Sequence, residues 1–195
     1  MNIRPLLLGL PLLLTGCSAL SNFSWPSRWP FNGLGSNLEV SAKGVGDLNA
    51  STPMLQSAIN AGLGGNYRLR GGMATRNGQV VAYYQALSGD KVKLVIIGQP
   101  KGRVQQVEIM DQNVVTVWGS KLGTPFSNMY SKAFGACKLA TDEDAGKVAC
   151  IAEQSKYVTY IFSGKWAGSQ EIIPPDDTLK NWAISKIIWH ANPQV

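Results

Sequence analysis

The amino-acid sequence predicts a mainly β protein, built as an antiparallel sandwich or a curved sheet with one or two short helices. Short apolar segments alternate with polar residues along much of the chain, and tight-turn pairs such as Asn77-Gly78 separate them. About 45% of the 195 residues are hydrophobic, which is enough for one ordinary core. A single domain is therefore expected.

Residues 1–16 are predicted to form a signal peptide that is removed. Arg4 supplies a positive charge, and the apolar run from Leu6 to Leu14 is too short for a membrane span of about 20 residues. The run ends in Leu14-Thr15-Gly16-Cys17, the spacing of a bacterial lipobox. Lipidation of Cys17, with diacylglycerol and an acyl chain such as palmitate, is expected to anchor the mature protein. Ser18 replaces the Asp that favours retention at the inner membrane, so the outer membrane, facing the periplasm, is the predicted location.

Residues 17–36 are predicted to be the lipidated N-terminus and a flexible tether, and residues 37–195 a single β-rich globular domain. The tether is rich in Ser, Asn, Pro and Gly and shows no helical or strand period. It also contains Trp25, Trp29 and Phe31. These rings could lie at the lipid headgroups, as interfacial aromatic residues do, or on the surface of the domain.

A three-stranded antiparallel meander is predicted after the tether. The first two strands, Asn66 to Thr75 and Gln79 to Leu87, flank Asn77-Gly78, and a turn at Gly89-Asp90 leads to the third, Lys91 to Ile97. Further strands are expected at Arg103 to Met110, Val114 to Trp118, Val148 to Glu153, Tyr157 to Ser163 and Ile184 to Trp189.

The meander carries four cations that alternate with apolar residues: Arg68, Arg70, Lys91 and Lys93. Alternation predicts that they share one outer face. Near a membrane that face could bind anionic headgroups, each cation contributing about 1 kcal/mol. The alternative is an ordinary solvated sheet face.

Two helices are predicted to interrupt the strands. The first begins at Thr52-Pro53 and runs through Ala61. The second runs from Thr124-Pro125 to Gly135, and its apolar stripe, expected in the core, comprises Phe126, Met129, Tyr130, Ala133 and Phe134.

Cys137 and Cys150 remain if Cys17 is acylated. In an exported protein such a pair is expected to form a structural disulfide, because the periplasm is oxidising. No Cys-x-x-Cys motif is present, and a single histidine supplies too few ligands for a zinc site. No metal or cofactor is therefore expected.

No catalytic residues are predicted. His190, the one imidazole, follows Trp189 near the C-terminus and is interpreted as a buried or capping residue. Ser88 and Lys91 fit a Ser-x-x-Lys pattern but lie on a hairpin turn, and Asp176-Asp177 are interpreted as a turn or as an N-cap for a helix from Leu179 to Ala183. The net charge falls from +6 to +5 when Arg4 is removed. This excess is too small to indicate nucleic-acid binding.

Several motifs resemble the sigma-E (RpoE)-regulated lipoproteins of enterobacteria, the YfeY-like family. They are Gly123-Thr124-Pro125-Phe126, Tyr130 to Gly135 with the two later cysteines, Phe162-Ser163-Gly164, and Asp176 to Trp182 continuing to Trp189. The resemblance covers nearly the whole chain. It implies an outer-membrane lipoprotein made under envelope stress, with a mainly β domain of unassigned biochemical function and no catalytic residues.

Three functional hypotheses follow. The first is a non-enzymatic accessory that binds or scaffolds an envelope component, either protein, lipid or glycan. The second is a lipid- or glycan-binding module at the membrane surface, which an apolar groove beside Arg68 and Arg70 would favour. The third is a hydrolase, which convergent carboxylates with raised pKa values in a cleft would favour.

Overall fold

The computed structural model describes residues 38–76 and 78–195, so the predicted signal peptide, Cys17 and the tether lie outside the described residues. All described residues fall within one compact unit. The strands are β1 (Glu39–Ser41), β2 (Gly44–Val45), β3 (Leu48–Asn49), β4 (Arg68–Arg76), β5 (Gln79–Ser88), β6 (Lys91–Gly98), β7 (Val104–Ile109), β8 (Val115–Thr116), β9 (Cys137–Leu139), β10 (Val148–Ala152), β11 (Ser155–Ser163) and β12 (Ala183–His190). The α-helices are α1 (Gln56–Gly62) and α2 (Asp176–Leu179).

Eight strands form one antiparallel sheet in the order β4-β5-β6-β7-β12-β11-β10-β9. A small sheet, β3-β2-β1-β8, contains one parallel pair, β1 with β8. The mainly β architecture with short helices is therefore confirmed. The predicted meander is also confirmed, as β4, β5 and β6.

One face of the large sheet forms the core. Along β7 and β12, alternate residues such as Val107, Ile109, Ile187 and Trp189 point to this face and are buried. The small sheet, α1 and the segment around Phe126 contribute to the same core cluster. The other face of the large sheet, which we call the second face, forms the candidate site.

The large sheet bends strongly at the β4–β5 hairpin. Strand register places Glu108 of β7 level with Arg70 of β4, through Val95 and Gln85. Arg76 lies six residues further along β4, about 20 Å at the rise of an extended strand. Its guanidinium nevertheless contacts Glu108 at 2.7 Å, which requires the hairpin to bend over the second face.

The predicted disulfide is present between Cys137 and Cys150. The two residues lie directly opposite each other on β9 and β10. The link holds β9, a strand of three residues that the sequence did not predict, at the edge of the sheet.

The predicted helix over 124–135 is wrong. The structure has a 3-10 turn at Phe126–Asn128, and the backbone N–H of Ala133 donates to the Asp176 carboxylate at 2.8 Å instead of continuing a helix. Phe126, Tyr130 and Ala133 of the stripe are buried, and Met129 packs against the core, but Phe134 is 87% exposed. Tertiary hydrogen bonds thus override the local helical pattern.

The other predicted helices begin at different residues. The backbones of Thr52 and Met54 are hydrogen-bonded to Val104 and Gly102, so α1 starts only at Gln56. Asp176 and Asp177 form the first turn of α2 instead of preceding it, and the chain is already in β12 at Ala183.

Candidate functional site

The second face of the large sheet holds a cavity of about 650 Å³. Its floor comes from the residues between the core-facing positions on each strand. On β12 these are Ile188 and His190, which lie beside Glu108 and Gln106 of β7. The segment 140–147, between β9 and β10, forms one wall.

The cavity lining combines uncharged hydrogen-bonding groups with apolar side chains. The polar groups are Gln79, Gln105, Gln106, Thr141, Thr159, His190 and Gln194. The apolar ones are Val81, Ile97, Leu139, Ala140, Ala149, Ile161 and Ile188. The ionisable remainder is two cations, Arg76 and Lys138, against four carboxylates, Glu108, Asp142, Glu143 and Asp144. The lining is therefore amphiphilic, and Lys147 and Lys186 contact three of its carboxylates from outside it.

An ion network, which we define as Arg76, Glu108, Glu143, Asp144 and Lys186, crosses the second face of the sheet beside this cavity. The Lys186 ammonium lies 2.7 Å from Asp144, 3.3 Å from Glu143 and 3.7 Å from Glu108. Arg76 contacts Glu108 at 2.7 Å and Glu143 at 3.2 Å. The network joins the β4 end, β7 and β12 to the segment 140–147. Four residues of the network also line a second cavity of about 340 Å³.

The network carries opposing effects of burial and charge. Burial raises the pKa of Glu108, although Arg76 and Lys186 act against it. At Glu143 and Asp144 partial burial also raises the pKa, but the neighbouring cations outweigh it and the net pKa is lowered. The carboxylates around Lys186 likewise outweigh its burial and raise its pKa. The neighbouring opposite charges therefore favour the ionised forms of Glu143, Asp144 and Lys186, whereas burial acts against the ionised form of Glu108.

His190 is half-buried in the cavity, with Nε2 at 3.0 Å from the Thr159 hydroxyl. Burial, with a smaller contribution from Lys138, lowers its pKa from 6.5 to about 4. The predicted buried histidine agrees with this placement. A neutral imidazole at physiological pH can exchange hydrogen bonds with hydroxyl groups without adding charge to the cavity.

His190 is expected to make the protein less stable as the pH falls from about 6.5 to about 4. The unfolded chain takes up a proton near pH 6.5 and the folded chain only near pH 4. The free energy of unfolding therefore decreases steadily as the pH falls through this range. The loss is at most about 1.4 kcal/mol per pH unit. The measurement is the free energy of urea unfolding near pH 7 and near pH 5 for wild type and His190→Gln. Equal pH dependence in the two proteins would contradict the assignment.

The four predicted surface cations do not lie on one face. Arg68 and Arg70 pair with Leu87 and Gln85, whereas Lys91 pairs with Ser88, one position out of phase. Lys93 falls at a register shift, and its ammonium lies 3.3 Å from Asp111, which also accepts a hydrogen bond from Tyr67. The shift and the Asp111 contact explain why simple alternation failed here. Binding of anionic surfaces by these residues stays a prediction.

A shallow groove lies beside Arg68, between α1 and the start of β4. Leu55, Tyr67 and Leu69 contribute its less polar side, and its volume is about 720 Å³. Burial, and then Asp111, raise the pKa of Tyr67 to about 12, so its hydroxyl stays protonated. Arg70 does not line this groove, because its guanidinium bonds Gln85.

Among residues 38–76 and 78–195, no group of three or more His, Cys, Asp or Glu side chains is arranged to hold a metal ion. Ser88 and Lys91 face each other across the β5–β6 turn, as predicted. Over the same part of the chain, no helix is both long and apolar enough to cross a membrane.

The sequence patterns do not predict the ion network. A signal was present in the charged residues inside apolar strands: Glu108 between Val107 and Ile109, and Lys186 before Ile187. Alternation alone interprets such residues as a solvated face. Their burial to 3% and 7% exposure depends on the segment 140–147, which folds over them from elsewhere in the chain.

Comparison with known proteins places this chain in a family. Residues 22–191 match the family described as "Protein of unknown function (DUF1131)". The chain is 47% identical over 188 residues to the uncharacterized protein YfeY of Escherichia coli (strain K12), covering 96% of this chain and 98% of that protein. The fold matches the crystal structure of yfeY from Escherichia coli with a TM-score of 0.72, over 78% of this chain and 99% of that one. The chain therefore belongs to the DUF1131 family and is similar to YfeY over nearly its full length.

Proposed function

We propose that this protein is a non-enzymatic binding protein of the bacterial envelope. In this proposal a lipid on Cys17 holds it at the periplasmic face of the outer membrane, and it is made as part of the envelope-stress response. The lipobox spacing supports the anchor, and the resemblance to sigma-E-regulated lipoproteins supports the stress response. In this proposal the amphiphilic cavity on the second face of the large sheet is the ligand site.

The cavity lining favours an uncharged, hydroxyl-rich ligand, the chemistry of a neutral glycan. Glutamine amides, threonine hydroxyls and a neutral His190 can each donate to or accept from sugar hydroxyls. Val81, Leu139 and Ala140, which are partly exposed, offer apolar surface to the C–H groups of a sugar ring. An anionic lipid headgroup fits less well, because four carboxylates line the cavity and Arg76, one of its two lining cations, is already paired with Glu108 and Glu143.

Hydrolysis is less well supported by the same geometry. Acid–base catalysis by two carboxyl groups needs a proton on one of them and freedom for both to reach the substrate. Burial raises the pKa of Glu108, but the pKa values of Glu143 and Asp144 are lowered. All three carboxylates are held by Arg76, Lys147 or Lys186 within 4.0 Å. These carboxylates support a structural role for the network, with ligand contacts made by the amides and hydroxyls.

The ligand class can be tested by photocrosslinking in the cell. A photoreactive amino acid replaces Gln105, which lines the cavity, and in a matched control it replaces Gln99, an exposed residue that does not. Adducts are analysed by mass spectrometry before and after glycosidase treatment. A glycosidase-sensitive adduct at Gln105 and none at Gln99 is expected. Lipid adducts, or the same adducts at both positions, would contradict the glycan proposal.

The proposed anchor predicts that Cys17→Ser abolishes acylation. The variant should appear as an uncleaved precursor or a soluble product, while Ser18→Ala, which leaves the lipobox cysteine in place, should still be acylated. The measurement is membrane fractionation with metabolic labelling by an alkyne fatty acid. Outer-membrane fractionation of Cys17→Ser at the apparent mass of the wild type would show that the lipobox interpretation is wrong.

A further inference from the structure

Strand β4 forms one edge of the large sheet. Among the described residues its strand partner is β5, which pairs with all nine β4 residues from Arg68 to Arg76. Successive backbone N–H and C=O groups of a strand point to opposite sides, so about half of those on β4 point away from β5. An edge of this length is a template for another strand.

β4 lacks several features by which proteins block such edges. It contains no proline, and its register with β5 is continuous, without a bulge. Gly71 and Gly72 carry no side chain, and the rings of Tyr84 and Tyr83 occupy the space that a side chain at these positions would take. The opposite edge differs, because β9 is three residues long and is fixed by the disulfide. The accessible edge is therefore specific to β4.

The charge of β4 selects what can pair with it. The strand has three arginines, Arg68, Arg70 and Arg76, and no acidic residue. If two copies paired antiparallel about Gly72, Arg68 of one would lie opposite Arg76 of the other, and directly opposed like charges destabilise a sheet. A second copy of this chain is thus disfavoured, and a segment with carboxylates is favoured.

Two of these arginines remain accessible to a partner. The Arg68 side chain is 63% exposed, and the carboxylate nearest to it, on Asp90, is 3.7 Å away and fully exposed to water. Arg70 is exposed and bonds the neutral amide of Gln85. Arg76 differs, because Glu108 and Glu143 already neutralise it. The charge that the chain's own carboxylates neutralise least therefore lies at the start of β4.

We propose that β4 binds an extended acidic segment of a partner protein, which adds a ninth strand to the large sheet. Backbone hydrogen bonds to β4 hold the segment, and its carboxylates lie near Arg68 and Arg70. The groove between α1 and β4 receives an apolar side chain beside Leu55 and Leu69. The carboxylate contacts at Arg68 and Arg70 lie outside the glycan cavity, which β4 lines only with its last residue, Arg76. Each proposal has its own test, so either can fail without the other.

The test uses the detergent-solubilised mature protein and synthetic peptides of the length of β4. In one series Glu alternates with Val, Ile, Leu, Tyr or Thr, and in a second series Lys replaces each Glu. Fluorescence anisotropy measures binding. The wild type should bind members of the Glu series and not the Lys series, and R68E/R70E should reverse this preference. The control K121E/K132E makes the same change in net charge at exposed residues elsewhere and should retain the wild-type preference.

Two proline variants test the backbone contacts. Since neighbouring N–H groups point to opposite sides, one of Met73→Pro and Ala74→Pro removes an outward donor and the other removes a donor to β5. The variant that keeps the wild-type melting temperature should lose peptide binding. The proposal is overturned if no peptide of the Glu series binds, if binding is insensitive to R68E/R70E, or if that stable proline variant binds normally. Arg68- and Arg70-dependent binding of phosphatidylglycerol vesicles without peptide binding would overturn it in favour of a membrane surface.

Discussion

Replacing Lys186 with methionine is expected to lower the free energy of unfolding by about 3 kcal/mol, because it leaves buried carboxylates without a cation. Removing one partner of a buried ion pair costs about 3–5 kcal/mol. The lower end applies here, since Arg76 still contacts Glu108 and Lys147 still contacts Asp144. Urea unfolding at neutral pH measures the change.

Lys180→Met is the matched control for this prediction. Its ammonium lies 2.9 Å from Asp177, close to the 2.7 Å that separates Lys186 from Asp144, but both partners are exposed. Solvent screens such a pair, so the unfolding midpoint should not change measurably. Equal losses for the two lysine variants would show that the network is not a buried one.

The network also predicts the direction of acid sensitivity. The folded pKa values of Glu143 and Asp144 lie below their ordinary values. Their contribution to stability is therefore present above the unfolded pKa values, near pH 4, and is lost as the pH falls through the folded ones. In Lys186→Met this acid-induced loss should be smaller, because the cation that lowers both pKa values is gone.

Local patterns were sufficient to predict seven of the eight strands of the large sheet. Asn77-Gly78 and the β5–β6 turn specify hairpins through their backbone preferences, and alternation marks which strand residues are apolar. β1, β2, β3 and β9 were missed because they have only two or three residues, too few for a period to be recognised. Their pairing depends on tertiary neighbours, such as β8 for β1 and the disulfide-linked β10 for β9.

The candidate site was harder to predict, because its parts are distant in sequence. Glu108 and Lys186 come together only when β7 pairs with β12, and Glu143 reaches them from a turn beyond β9. Charge and alternation could indicate that Glu108 and Lys186 each point away from the core, but not that another segment covers the face on which they lie. Lys93 shows the same limit, because a register shift and Asp111 remove it from the cationic face that alternation predicts.

Phe162 of β11 packs against two residues of the segment 124–135, Phe126 and Tyr130. Phe162→Ala is expected to cost about 3–5 kcal/mol, the range for deleting a buried aromatic ring. Phe162 is fully buried, and its ring lies 5.1 Å from that of Phe126 and 5.9 Å from that of Tyr130. Truncation would leave a cavity bounded by aromatic rings that cannot close fully around it. The urea unfolding midpoint and slope at neutral pH measure the loss.

Phe134→Ala is the control of identical chemistry. The helical stripe predicted Phe134 to be a core residue beside Phe126, but its side chain is 87% exposed. Truncating an exposed residue should change stability by no more than about 0.5 kcal/mol. A loss at Phe134 as large as that at Phe162 would mean that residues 124–135 form the predicted helix in solution, with Phe134 buried on its apolar face.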